Sequence, residues 1–421
     1  MITVGLDFGT HQTKVCIEHK DGVELNYTFM KFNDIYHRSY YTFPSLIGVG
    51  KDGLLSYGYL PIRYDGRIIR YFKQSAFRPS PSSMSQVNAM YFSTWYLAYI
   101  LFDLEDKYGQ EFTIQMGAPT DSAHVNQAKV IATRLIASAY ILVEEVFAND
   151  KGKFLATPMR ELVELTKLIP YSQEIKDEYG LLVFPEAYAC LKPLISQGKL
   201  AKGMSLMIDI GGGTTDISFF TIEGNRPQVY DFYSINKGLN YLTGAKENNQ
   251  RGTEVNVQDA SEIIQGRRVV YINELNQVCD TLRSKLQKEF RLQTSLSMHR
   301  LLDALKNRPL VYCGGGSTFK TLRVSYGGYQ DKKQISHKEW NMKSIRDMDE
   351  IIDEGLCPIL STAYGLAIST ENDNIKMKPF KDIFEGIRGS EEEHHHKATR
   401  NTHFGSAYGG FSYADDWDAW K

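Results

Sequence analysis

Two stretches of this chain carry the same order of apolar and polar positions. In the later one, Leu206–Ile208 leads through Asp209 and Ile210 into three glycines, two threonines and Asp216, and a second apolar run follows at Ile217–Phe220. Apolar run, glycine-rich break and apolar run predict strand, tight turn and strand. An offset of 202 residues lays Val4–Glu18 over it: Asp7 falls on Asp209, Gly9 on Gly211, Thr13 on Thr215 and Lys14 on Asp216, with Val15 and Ile17 on Ile217 and Phe219. Lys20, Asp21 and Gly22 then turn the first copy into a third strand, Glu24–Phe29. Further strands are predicted at Tyr41–Val49, Phe112–Met116, Tyr179–Phe184, Gln228–Ser234 and Leu310–Cys313. Helical spacing marks Asn88–Lys107, Val125–Phe147, Met159–Leu168, a segment opening at Pro185, Ser261–Arg268, Asn273–Glu289, Ile345–Asp353 and Pro358–Ser369.

The glycine tips suggest the chemistry. Bare N–H groups at a glycine-rich turn form a nest for anions, and phosphate is the usual guest. A carboxylate such as Asp209, at the end of a buried strand, is costly unless a cation sits against it. Mg²⁺ on a phosphate chain supplies that cation, since it binds through one or two carboxylates plus phosphate oxygens. One glycine-rich turn is a weak signal, but two equivalent hairpins imply a duplicated domain that clamps a nucleotide between its copies.

At 421 residues the chain exceeds one ordinary core, which fits two lobes with additions. A net charge of −2 advertises neither nucleic acid nor an anionic membrane. No signal-peptide pattern is visible, and the most apolar window, Trp95–Leu104, is too short to span a bilayer and reads as a buried helix. Five scattered cysteines without a C-x-x-C pair argue for core residues in a reducing cytoplasm rather than disulfides or a zinc site. From about Phe384 the pattern changes. Residues 384–421 carry glutamate and histidine runs, then Phe404, Tyr408, Phe411, Tyr413, Trp417 and Trp420 beside Asp415, Asp416 and Asp418. No periodicity supports a core there, so a disordered acidic and aromatic tail is expected, either solubilising or a docking peptide over Phe404–Trp420.

The segments DFGTHQTK (from Asp7) and DIGGGTTD (from Asp209) resemble the two phosphate motifs of the actin, heat-shock chaperone and sugar-kinase superfamily of ATPases. The resemblance covers roughly residues 1–380. It implies an α/β fold of two duplicated ribonuclease-H-like lobes around a central nucleotide cleft. Lobe I would span 1–203 with 358–383 returning to it, and lobe II 204–357. It implies ATP or ADP with Mg²⁺, held by Gly9, Thr10, His11, Gln12, Thr13 and Lys14 on one side and by Gly211, Gly212, Gly213, Thr214 and Thr215 on the other. Asp7 and Asp209 would take the metal. The run Gly314, Gly315, Gly316, Ser317 after a buried strand is similar to the superfamily's adenosine motif; read from its residues alone, it is a turn after a strand.

Pro185-Glu186-Ala187-Tyr188-Ala189 resembles the first connecting segment, where a glutamate orients the attacking water. An acid in the first turn of a helix also explains Glu186 without catalysis. Lys73, flanked by aromatics, stands where the chaperones carry a lysine on the γ-phosphate side; otherwise it reads as a solvated surface lysine. The expected activity is slow ATP hydrolysis by Glu186, Asp209, Lys73 and Asp7. The first lobe leans to the chaperones, and the second is nearer to the plasmid-segregation actins. Without a β-rich peptide-binding domain, the leading reading is a chaperone-like nucleotide switch acting on a protein partner. The alternative is an actin-like filament-forming ATPase, and a small-molecule kinase ranks third.

Overall fold

The computed structural model describes residues 2–21, 24–61, 63–78, 84–109, 111–119, 125–170, 174–196, 198, 205–223, 226–244, 263–293, 310–322, 335–336, 352 and 355–373. The tail expected over 384–421, its docking stretch, most of the helix expected at Ile345–Asp353 and the segment 374–383 lie outside the described residues.

Two sheets organise the chain. In the first, β1 (Ile2–Phe8), β2 (Gln12–Asp21) and β3 (Glu24–Phe29) form an antiparallel meander. β4 (Phe112–Ala118) joins β1 in parallel, and β5 (Leu181–Pro185) joins β4 in parallel. The order is therefore β5-β4-β1-β2-β3. In the second sheet β6 (Ser205–Ile210), β7 (Thr215–Glu223) and β8 (Arg226–Ile235) make the same meander. β9 (Leu310–Cys313) and β10 (Ile335–Ser336) add the same parallel pair, in the order β8-β7-β6-β9-β10. Strand for strand, the second sheet repeats the first. The duplication read from two hairpins extends to whole lobes, and the fold is the expected α/β pair of ribonuclease-H-like lobes about a cleft.

Burial explains the strand choices. Val4, Leu6 and Phe8 of β1 and Leu206, Ile208 and Ile210 of β6 are fully or almost fully buried, as central strands covered on both faces must be. Tyr41–Val49 does not run as one strand. Phe43–Pro44 pairs with β2, and Leu46–Gly50 belongs to a separate three-stranded sheet with Leu55–Tyr57 and Gly66–Arg70. Pro44 has no N–H to continue the ladder, so the chain changes sheets there.

Helices among the described residues include α1 (Phe72–Phe77), α2 (Gln86–Tyr108), α3 (Val125–Ile141), α4 (Glu186–Ser196), α5 (Leu239–Thr243), α6 (Gln265–Gln293) and α7 (Cys357–Ala367), with shorter ones at Lys151–Ala156, Met159–Lys167 and Glu174–Glu178. Ser85 caps α2 by accepting from the Asn88 N–H, and Trp95, Tyr96, Leu97 and Ala98 are all buried, so this helix is enclosed as expected. The helix expected to reach Phe147 ends at Ile141 and continues as one wide turn, Leu142–Val146. The two helices expected at Ser261–Arg268 and Asn273–Glu289 are one, because no glycine or proline breaks Val269–Ile272 and Tyr271, Leu275, Cys279, Leu282 and Leu286 share a buried face.

Two helices position the cleft. α4 packs on the second sheet through Ala187, Cys190, Leu191 and Leu194. α7 packs on the first through Leu360, Ala363, Tyr364 and Ala367. They cross at Gly365, where a Cβ would lie 1.8 Å from the Ala189 carbonyl oxygen, so only glycine allows this approach. All five cysteines are buried and none forms a disulfide. Among the described residues no helix is long and apolar enough to cross a membrane.

Candidate functional site

The two hairpin turns face each other across the cleft between the lobes. In the first, Ser45 holds the backbone from outside: its N–H donates to the His11 carbonyl at 2.8 Å and its hydroxyl to the Gly9 carbonyl at 2.7 Å. In the second, the start of α5 does the same work. The Leu239 N–H donates to the Gly211 carbonyl at 3.0 Å and the Asn240 N–H to the Gly212 carbonyl at 2.9 Å. Free helix N-terminal N–H groups need acceptors, and here they find the carbonyls of the turn. Not every tip N–H is available to a ligand. Gly9 donates to the Asp7 carbonyl at 3.1 Å, and Gly211 to the Thr214 carbonyl at 2.9 Å. This removes the N–H groups of Gly9 and Gly211 from the expected rows of phosphate-facing donors.

The acids sit at matching register positions. Asp7 lies directly across from Lys14, and their side chains form a 2.8 Å ion pair. Asp209 lies directly across from Asp216. Like charges opposed across a strand pair repel. Asp209 is pushed up from its ordinary 3.8 to about 8, first by loss of water and then by the fields of Asp216, Glu186 and Asp7, which Lys14 offsets in part. Asp216 is pushed up to about 6 by burial, against the pull of its Ser234 hydrogen bond and of Arg78. Its Oδ1 is buried with no hydrogen-bond partner among the described residues. Gly314, at φ 76°, carries the chain out of β9 so closely that a Cβ would stand 2.3 Å from Asp209 Oδ1.

Lys73 is not a surface lysine. It is 5% exposed, and its ammonium pairs with Glu186 Oε1 at 2.5 Å while lying 5.6 Å over the Phe8 ring. Glu186 opens α4 and lies over Gly117, where a Cβ would meet its Cγ at 2.9 Å.

One cleft is lined by Asp7, Gly9, Thr10, His11, Gln12, Lys14, Lys73, Glu186, Asp209, Gly211, Gly212, Gly213, Thr214, Gly314 and Gly315. Four expected ligand residues are not on its wall. Thr13 and Thr215 are fully buried, with hydroxyls 3.3 Å from Ser45 Oγ and 2.9 Å from the Lys237 carbonyl. The period of two along a strand turns them away from the face that carries their neighbours. Gly316 packs on Ile210, where a Cβ would come within 2.2 Å, and the buried Ser317 hydroxyl donates to the Gly314 carbonyl. Asp216, Pro358, Ile359 and Thr362 also line the cleft and were not expected there. The sequence signal for Asp216 was its alignment with Lys14. The start of α7 carried none, because its approach depends on the crossing with α4.

Among the described residues no group of three or more acids, histidines or cysteines is arranged to hold a metal alone. A divalent cation that takes its other ligands from phosphate needs no such cage. The Asp209–Asp216 pair, whose like charges are only partly offset by Lys14, Arg78 and Lys73, is the feature that fits one.

No family model matches the chain, and no curated protein matches it. Solved structures do. A non-polymerising mutant of MamK bound to AMPPNP aligns with a TM-score of 0.42 and 16% identity, covering 87% of this chain and 97% of that one. Ta0583, an archaeal actin homolog, aligns both in complex with ADP and in its native form, with a TM-score of 0.43 and 14% identity over 87% of this chain and 98% of the other.

Proposed function

We propose that the chain is an actin-like ATPase that binds Mg·ATP between its lobes, hydrolyses it slowly and converts the hydrolysis into lobe movement. The observation that carries this reading is the facing pair of hairpins with an acid pair, Asp209 and Asp216, that no ion pair among the described residues closes in the way Lys14 closes on Asp7. The expected lobe bounds are 1–203 with 358–383, and 204–357; the packing of α7 on the first sheet supports a return to lobe I, whereas α4, inside 1–203, packs on the second sheet.

In this reading the N–H groups of Thr10, His11 and Gly212–Thr214, with the Thr10 and Thr214 hydroxyls, hold the phosphate oxygens. Lys14 divides its charge between Asp7 and the phosphates. Asp209, with Asp7, holds Mg²⁺, which when bound would neutralise the phosphate charge that develops during transfer. Glu186 orients the attacking water once Lys73 turns from it towards the γ-phosphate. Gly314 and Gly315 let the backbone approach the adenosine.

Two outputs follow from one site. Lys14, in the cleft, resembles the lysine that actins and many sugar kinases carry at this position and heat-shock chaperones do not, which supports the actin side of the superfamily and hence nucleotide-dependent self-assembly; Lys73 beside Glu186 supports a chaperone-like solitary switch. Light scattering separates them: reversible assembly above a critical concentration with ATP is expected, and no assembly at any concentration would leave the switch. Titration calorimetry tests the site itself, with ATP binding expected to require Mg²⁺. Glu186→Ala is expected to bind Mg·ATP normally while phosphate release slows by about 10²–10⁴-fold, the range of a lost acid–base group. Normal turnover in that variant would remove Glu186 from the mechanism.

A further inference from the structure

The lobes are also joined near the phosphate hairpins by side-chain contacts, made by residues that border the site above: His11 and Gly212 belong to the two turns, and Ser234 and Arg78 act on Asp216. At the tip of the first hairpin, the His11 ring lies against Gly212 of the second, where a Cβ would stand 2.4 Å from His11 Cδ2. The Asn240 side-chain nitrogen is 2.7 Å from His11 Nε2. Asn240 is fixed in turn, because its backbone N–H is bonded to the Gly212 carbonyl.

The His11 ring is also held from its own lobe. Tyr71 meets it edge-on, with centroids 5.3 Å apart at 79°. Tyr71 adopts φ 59°, a left-handed conformation that costs a bulky residue free energy and marks a position under constraint. α1 starts immediately after it, and Arg78 follows its last residue. Arg78 Nη1 donates to Ser234 Oγ at 2.9 Å. Ser234 and Asn240 flank the turn from β8 into α5. Lobe I thus grips one short segment of lobe II, 234–240, at two points.

The crossing of α4 and α7 can act as a pivot while its packing survives. Asn240 lies against the His11 ring, 2.7 Å from Nε2 and 3.3 Å from Nδ1, and Arg78 is bonded to Ser234, so parting the lobes breaks both contacts. We propose that these two contacts form a clasp that sets how fast the cleft opens, and therefore how fast nucleotide leaves. The proposal rests on the nucleotide reading above and adds the control of release to it. His11 and Asn240 act here as positioning residues.

The test follows release of a fluorescent ADP analogue with Mg²⁺, chased by unlabelled ADP. Asn240→Ala is expected to release it about tenfold faster, the ratio of roughly one net hydrogen bond. Single-turnover hydrolysis of bound ATP should stay at the wild-type rate in the same variant, an outcome that general misfolding would not give. His11→Ala combined with Asn240→Ala should be no faster than His11→Ala alone, since both remove one contact. Ser234→Ala removes the second contact and should speed release as well, which also serves if Asn240→Ala does not fold; since Ser234 also bonds Asp216, its release is compared with the wild type at saturating Mg²⁺, so that a weakened cation site does not count as an opened clasp. A nucleotide-free measurement runs beside it: amide hydrogen exchange at residues 9–12 and 211–214 should rise in Asn240→Ala. Wild-type release rates in Asn240→Ala and Ser234→Ala would overturn the clasp while leaving nucleotide binding intact. If the wild-type chain binds no nucleotide, the functional reading fails, and unchanged hydrogen exchange in Asn240→Ala would then sink the clasp on its own.

Discussion

The two phosphate hairpins share a backbone and differ in charge. Each places an aspartate at the end of a central strand and faces it across the pair with residue 14 or 216. In lobe I that residue is Lys14, and the pair is closed at 2.8 Å. In lobe II it is Asp216, and both carboxyls are pushed up, to about 8 and about 6. A duplicated fold has therefore kept its geometry while the two halves took opposite electrostatic tasks. The first hairpin carries its own cation. The second is an acid pair whose charge its neighbours Lys14, Arg78 and Lys73 offset only in part, so that a proton or a cation from outside lowers its cost further.

The comparison breaks most sharply at Asp209. Asp209→Ala is expected to abolish Mg·ATP binding in titration calorimetry, and retained binding with unchanged Mg²⁺ dependence would show that the second hairpin is not the metal side. Next in size is Asp216→Lys, which makes the second hairpin a copy of the first. The new ammonium should pair with Asp209, and affinity for Mg·ATP should fall by about 10–100-fold, the scale of a lost contact to a charged group.

The smallest effects concern stability without ligand, and they have opposite signs in the two lobes. Asp7→Asn leaves the Lys14 ammonium without its partner carboxylate and should destabilise by about 1–3 kcal/mol. Asp209→Asn should stabilise, with a pH dependence that follows from the raised pKa. The folded chain holds a proton on Asp209 that the unfolded chain has released. The stability tied to that proton is thus fully present below about pH 4 and is lost as pH rises towards about 8. In thermal unfolding, Asp209→Asn should match the wild type near pH 4 and exceed it increasingly up to pH 8. A gain that is flat with pH would contradict the assignment.

Much of the site was legible because hairpins are local. The turn residues, the two aspartates and the offset between the copies all lie within short windows, and strand periodicity fixes register once the turn is known. The same periodicity, applied one step further, explains why Thr13 and Thr215 face the core rather than the cleft. Lys73 was less readable. Aromatic neighbours suggested a site but not burial, since its partner Glu186 is 113 residues away and arrives from another element. Asn240 carried no sequence signal at all; its role appears only where α5 caps the second turn.

What the sequence determined by itself was the repeated unit: strand, glycine turn and strand, twice, with an acid before each turn. Backbone propensity and a period of two suffice for that. Which acid is neutralised was also written there, in Lys14 and Asp216, because those residues lie across a two-stranded ladder. The tertiary structure alone decided that Lys73 meets Glu186, that His11 reaches Asn240 and that α4 and α7 cross at Gly365. Each of these joins segments far apart in the chain, and such contacts depend on how whole lobes pack, which no local pattern encodes.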